Sequence, residues 1–209
     1  MYGTLLADNA EAGGPELAEL AGADPRAWRA EYARLLLDRC TGRLSSAEAA
    51  ERVMRACGID PAAELISAVV SAHRELMTGG CPPYDDAVPF LEQLRQRGIK
   101  IALVSNCADN TRSFLAEMNL LPLADAVILS CEAGFAKPSP QIYLRALSAL
   151  GVTAAGAVMI DDNPSCCAGA EAVGMKAIQV TRGGPDIRPA ESAFPVVRSL
   201  QDAARVLCS

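Results

Sequence analysis

With one histidine among its 209 residues, His73, this chain is too poor in imidazole for much of the usual hydrolytic chemistry. A histidine metal cage is excluded on supply, and His73, inside a helical stretch, reads as a packed helix residue rather than the base of a Ser-His-Asp triad. Basic charge is short too: 19 Lys and Arg against 25 Asp and Glu give a net charge of −6. That balance argues against a nucleic-acid partner, which favours a basic face. It leaves small anionic substrates open, because a local cluster of donors overrides net charge. No apolar run approaches the roughly 20 residues that cross a bilayer, and no basic leader with an apolar core marks a secretory signal. Neither a membrane nor export is expected. The eight cysteines (40, 57, 81, 107, 131, 166, 167 and 208) contain no CxxC pair and no zinc-like spacing. They read as reduced thiols of a cytoplasmic protein, most of them acting as small hydrophobes. A redox role for the vicinal pair Cys166-Cys167 is the lesser reading. Internal repeats and low-complexity segments are absent as well.

What is present is enough for one sizeable core, or a core with a small accessory domain. The composition, 51% hydrophobic and 21% charged, is that of a globular protein. Two stretches rich in Gly, Pro and Asp, residues 7–14 and 77–86, read as linkers. Between them the signals are helical only. Asp24-Pro25 and Asp60-Pro61 each read as an N-cap followed by Pro at the first helical position. Ser46 reads as the start of another helix, with Leu44, Ala50, Val53, Met54 and Cys57 at helical spacing. About four helices are expected in residues 15–77.

Beyond residue 86 short apolar runs alternate with helical stretches. Strands are expected at 99–104, 125–130, 156–160, 176–180 and 194–197, and helices near 86–97, 109–118, 139–150, 166–173 and 198–207. Apolar strands alternating with helices indicate a parallel sheet covered on both faces. The predicted fold is α/β: a doubly wound, Rossmann-like parallel sheet formed by residues 1–12 and 80–209, with a helical insert at 13–79.

Open parallel sheets bind ligands beyond the carboxyl ends of their strands. Ser105-Asn106 follows the first run, Lys137 stands on the loop after the second, and Asp161-Asp162 ends the third. Each has a plain alternative: Ser105 as a helix cap, Lys137 as a solvated loop charge, the acidic pair as a cap near residue 165. Together they suit a divalent cation and a phosphate, with carboxylates for the hard metal, a hydroxyl and helix-start N–H groups for anionic oxygens, and an ammonium for developing charge.

ALVSN, GFAKPSPQIY and VMIDDNPSCCAGAEAVGM resemble the second, third and fourth motifs of the haloacid dehalogenase superfamily of phosphatases and related hydrolases. The helical insert corresponds to that family's cap. The resemblance implies that Ser105 and Asn106 bind the transferring group, that Lys137 stabilises it, and that Asp161 ligates Mg2+ with support from Asp162. MYGTLL resembles the part of the first motif that follows the nucleophilic Asp. Gly3 and Thr4 form the turn beside the substrate, and Tyr2 stands at the metal-side position where phosphatases carry a second Asp. The nucleophile itself would be residue zero.

The implied activity is Mg2+-dependent hydrolysis of a small phosphorylated metabolite through an aspartyl-phosphate. This chain is expected to be inactive or impaired without the nucleophile and the central strand that bears it. An upstream start in the natural protein and a non-catalytic, ligand- or partner-binding relative both account for the gap. Tyr-Gly-Thr-Leu resembles the metal-independent 2-haloacid dehalogenase branch, whereas the acidic pair points to the phosphatase branch. Cys166 stands where relatives with paired acids often have Asn. Arg39 and Arg43, near a turn of the insert, read as solvated surface charges or as contacts for a substrate anion.

Overall fold

The computed structural model describes residues 1–7, 14–182 and 194–207. Most of the expected 7–14 linker, the 12/13 boundary and Cys208 lie outside them. Five helices come first: α1 (Pro15–Ala21), α2 (Pro25–Arg34), α3 (Leu36–Cys40), α4 (Ser46–Ala56) and α5 (Ala63–Gly80). Asp24 caps α2 as its sequence suggests, its Oδ1 accepting the Ala27 N–H at 2.9 Å with Pro25 in the first turn. Helix α4 starts at Ser46, as its sequence suggests, and Ser45 caps it. The Ser45 Oγ accepts the Glu48 N–H, and the Glu48 carboxylate returns to the Ser45 N–H at 2.8 Å. Two adjacent serines offer a cap, and the Glu three residues after the first selects it. Asp60-Pro61 does not start α5, which begins at Ala63. That helix also runs through Gly80, shortening the expected 77–86 linker. Ala50, Val53 and Met54, three and four residues apart on one face, pack with Leu17, Trp28 and Val69 into an apolar cluster belonging to these helices alone.

The rest alternates: α6 (Ala87–Gln96), β1 (Ala102–Ser105), α7 (Thr111–Glu117), β2 (Ala126–Leu129), α8 (Ser130–Ala133), α9 (Pro140–Leu150), β3 (Val158–Asp161), α10 (Pro164–Ala172), β4 (Lys176–Val180), β5 (Val196–Val197) and α11 (Leu200–Leu207). All strand pairs are parallel, and Ser105 is in register with Leu129. Successive side chains of a strand leave opposite faces, so each apolar run serves two cores. Leu103 and Leu129 join Phe90, Leu94 and Phe114 on one face. Val104, Ile128 and Met159 join Ile142, Tyr143 and Ala170 on the other. The sheet is therefore covered on both sides, as a doubly wound parallel sheet must be.

One gap interrupts it. The strand order is β1-β2 in one piece and β3-β4-β5 in the other. Between β1 and β3 lies a cavity of about 600 Å³, lined from the two strands by Ala102, Val104, Val158 and Ile160. Met1 and Thr4 also line it. Residues 1–6 make a tight turn there, with the Leu5 N–H on the Met1 carbonyl and the Gly3 N–H on that of Leu6, both at 2.8 Å. Ala7 and Pro82 are hydrogen-bonded at 2.8 Å, which brings the chain entering the helical unit beside the chain leaving it.

Candidate active site

Strand β1 ends at Ser105 and β3 at Asp161, and both side chains are buried at the same edge of the sheet. Lys137 reaches this edge from the loop before α9. Its Nζ donates to Asp161 Oδ2 at 2.5 Å and to the Val104 carbonyl at 3.0 Å. The ammonium and the carboxylate are each about 3% exposed. Burial alone would lower the Lys137 pKa, but Asp161 outweighs it and holds the group above its usual value. Burial likewise works against the Asp161 carboxylate, yet Lys137 first, then the Met1 α-amino group and the Asn163 N–H at 3.0 Å, hold its pKa below the usual range. The plain reading of Lys137 as a solvated charge is thus overturned.

Asn106 is committed to positioning. Its amide donates to the Lys137 carbonyl at 2.8 Å and accepts the Lys137 N–H at 2.7 Å, clasping that backbone at both ends. Ser105 caps nothing, because α7 starts at Thr111 with Asn110 before it. Its Oγ has a long contact to the Asn106 carbonyl at 3.4 Å. The acidic pair is not a helix cap either: Asn163 caps α10, its Oδ1 accepting the Ser165 N–H at 2.9 Å.

Asp162 Oδ1 accepts the Thr4 hydroxyl at 2.9 Å, and Thr4 Oγ1 accepts the Asp162 N–H at 3.1 Å. Gly3, at φ +71°, passes so close that a Cβ would stand 2.5 Å from Asp162 Oδ2. The Gly-Thr turn and the acidic pair are therefore built against each other. Tyr2, assigned from the resemblance to the metal side, stacks its ring on Phe114 with centroids 6.2 Å apart.

Burial first, and the Asp161 charge second, push the Asp162 carboxyl above its usual pKa. A pair of acids whose second member is held short of compensation suits a hard cation, which takes one or two carboxylates and completes its shell with water and phosphate oxygens. Among the described residues no group of three or more His, Cys, Asp or Glu converges on one point. Asp161 and Asp162 are thus the donors available, and they fit Mg2+ in kind.

The sequence reading missed the bracket behind Thr4. Arg182 donates to Asp86 Oδ2 at 2.7 Å and to the Thr4 carbonyl, lies 4.0 Å over the Tyr84 ring, and shares Asp86 with the Leu200 N–H. An Asp and an Arg 96 positions apart carry no local signal of pairing. In the helical unit Arg39 is buried, its guanidinium 3.8 Å over the Tyr32 ring, whereas Arg43 is exposed and pairs with Asp38. Arg39 is therefore not a solvated charge.

The profile of the haloacid dehalogenase-like hydrolases matches residues 1–174. The chain belongs to that family. It is 32% identical over 133 residues to a glyceraldehyde 3-phosphate phosphatase of Methanopyrus kandleri, covering 63% of this chain and 57% of that one. It is 37% identical over 120 residues to a phosphoserine phosphatase of Thermus thermophilus, covering 56% and 47%. The chain spans about half the length of these curated relatives. In three dimensions it superposes on a haloacid dehalogenase-type phosphatase from Thermococcus onnurineus with a TM-score of 0.70 at 26% identity, covering 99% of this chain and 94% of the other. An L-2-haloacid dehalogenase from Xanthobacter autotrophicus also gives 0.70, at 22% identity over 100% and 96%, which shows the shared fold.

Proposed function

We propose that this chain carries the phosphate- and cation-binding apparatus of a phosphatase acting on small phosphorylated metabolites, with residues 13–79 as its cap and 1–12 with 80–209 as its core. The observation that carries this reading is the buried Lys137–Asp161 pair beside Ser105. An ammonium kept dry at a strand end is set to meet the charge of a phosphoryl group, and its anchored partner fixes its direction. The Ser105 hydroxyl is the donor we assign to a phosphoryl oxygen, with Asn106 holding the Lys137 backbone in place. Asp161 and Asp162 are the residues we assign to Mg2+, which when bound would polarise the phosphate and neutralise its oxygens. Thr4 and Gly3 keep Asp162 aimed at that edge. Phosphatases among the relatives support the substrate class. No helix of the described residues is long and apolar enough to cross a membrane.

The only carboxylate ion-paired with Lys137 among the described residues is Asp161. We read the 209-residue chain as one that binds phosphate through Lys137 and Ser105. The test compares it with a version bearing an apolar strand of about six residues ending in Asp ahead of Met1. The expected result is Mg2+-dependent hydrolysis of a simple aryl phosphate by the extended chain, lost on Lys137→Ala, against little or none by the shorter one. If the extended chain is folded and inert toward phosphate esters, the phosphatase reading fails. Metal-independent halide release from 2-chloropropionate would transfer the site to dehalogenation.

A further inference from the structure

The cysteines that adjoin in sequence are the wrong pair to watch. Cys166 and Cys167 are buried in α10, and burial foremost, with Asp161 next, pushes both thiols up to about 12. Such thiols are poorly ionised and inert. The fold builds another pair from positions 24 apart. Because Ser105 is in register with Leu129, the residues two further on, Cys107 and Cys131, emerge side by side beyond the same sheet edge. Their Sγ atoms are 4.0 Å apart. The Cys107 N–H donates to Ser130 Oγ at 2.9 Å, and the Cys131 thiol lies 3.3 Å from the Ala108 carbonyl. Cys107 is buried and Cys131 is partly exposed.

The two thiols are unequal. Hydrogen bonding from Cys131 foremost, then from Thr111 and Ser105 against the opposing effect of burial, holds the Cys107 pKa below its usual value. The same contact, with burial, holds the Cys131 proton on. The contact thus favours ionisation at Cys107 and keeps the proton on Cys131, an inequality that suits dithiol oxidation.

We propose that Cys107 and Cys131 form a hydroperoxide-sensitive dithiol that closes to a disulfide at the rim of the active site. The Cys107 thiolate attacks hydrogen peroxide; the O–O bond breaks, an S–O bond forms, and hydroxide leaves, so the sulfur gives up two electrons to the peroxide. The Cys131 sulfur then attacks the sulfenic acid; the S–S bond forms as the S–O bond breaks, and the hydroxyl leaves with the Cys131 proton as water. A dithiol reductant reverses the change.

Closure draws the two sulfurs in to about 2.05 Å, and both flanks feel it. Cys107 follows Asn106, whose amide clasps the Lys137 backbone. Cys131 presents its carbonyl to Gly42 of the helical unit so closely that a Cβ there would be 2.0 Å away. Oxidation therefore acts on the support of Lys137 and on the seat of the helical unit together. The chemistry is independent of the phosphatase assignment.

The test treats the reduced 209-residue chain with a small molar excess of hydrogen peroxide, quenches with an alkylating agent, and digests with trypsin. The expected product joins the peptide 101–112 to the peptide 113–145, about 2 Da lighter than their sum, and dithiothreitol abolishes it. Cys107 should react at least about tenfold faster than the helical-unit thiol of Cys57, which burial pushes up. In Cys131→Ser the link disappears and dimedone labels Cys107 as its sulfenic acid. The proposal is overturned if Cys107 stays reduced while other cysteines react, if Cys131→Ser gives no dimedone adduct at Cys107, or if the urea-unfolded chain forms the same link equally fast.

Discussion

Burying the Lys137 ammonium strips its hydration, and the Asp161 carboxylate at 2.5 Å with the Val104 carbonyl at 3.0 Å replaces it. A buried pair of this kind adds little net stability, but half of one is expensive. Lys137→Met is expected to lower the unfolding free energy by about 3–5 kcal/mol in urea titrations, because Asp161 is left charged and dry. The double variant Lys137→Met/Asp161→Leu should recover much of that loss. A single variant within about 1 kcal/mol of the parent would mean that solvent reaches the pair after all. Ser105, Lys137, Asp161 and Asp162 are legible in the sequence because each polar residue interrupts or follows an apolar strand. The clasp of Asn106 on Lys137 is not legible, since its partner is a backbone 31 positions away.

Within the helical unit, His73 of α5 is packed beside Tyr32 of α2, its Nε2 3.4 Å from the tyrosine hydroxyl, with Arg39 and Asp109 in electrostatic range. Burial first, then the Arg39 charge, lower its pKa from 6.5 to about 4, with Asp109 opposing. A depressed folded-state value means that the native state resists the proton. The contribution is complete above pH 6.5 and is lost as pH falls toward 4, up to about 3 kcal/mol. Tm measured across that window should fall, and His73→Gln should flatten the dependence; an unchanged slope would show that other groups control the acid transition. The elements themselves follow from apolar spacing and caps. What the pattern misplaces is the α5 start: Asp60-Pro61 does not open the helix, which begins at Ala63 after an Ala62 that offers no side-chain cap.

Across the whole molecule the sheet is divided. Strand β4 has hydrogen-bonded neighbours on both sides, whereas β1 and β3 each have one among the described residues and face the cavity of about 600 Å³. Unpaired ladder groups beside apolar side chains are costly. Amide hydrogen exchange should therefore be slowest in β4, by at least about tenfold over β1. The added apolar strand of the functional test should slow β1 and β3 selectively and raise Tm by about 10 °C or more, since some 200 Å² of newly buried apolar surface supplies about 5 kcal/mol. Equal exchange in all three strands, before and after, would mean that the gap is already satisfied.

From the order of residues alone come the alternation of strands and helices, the helical insertion, and the polar residues at the strand ends, because apolar periodicity and turn residues act over a few positions. Only the folded chain decides which distant groups meet. It sets Lys137 on Asp161, Thr4 on Asp162, Arg182 on Asp86 and Cys107 on Cys131, and it leaves a slot between β1 and β3. Those pairings depend on register and burial, which no local stretch of sequence contains.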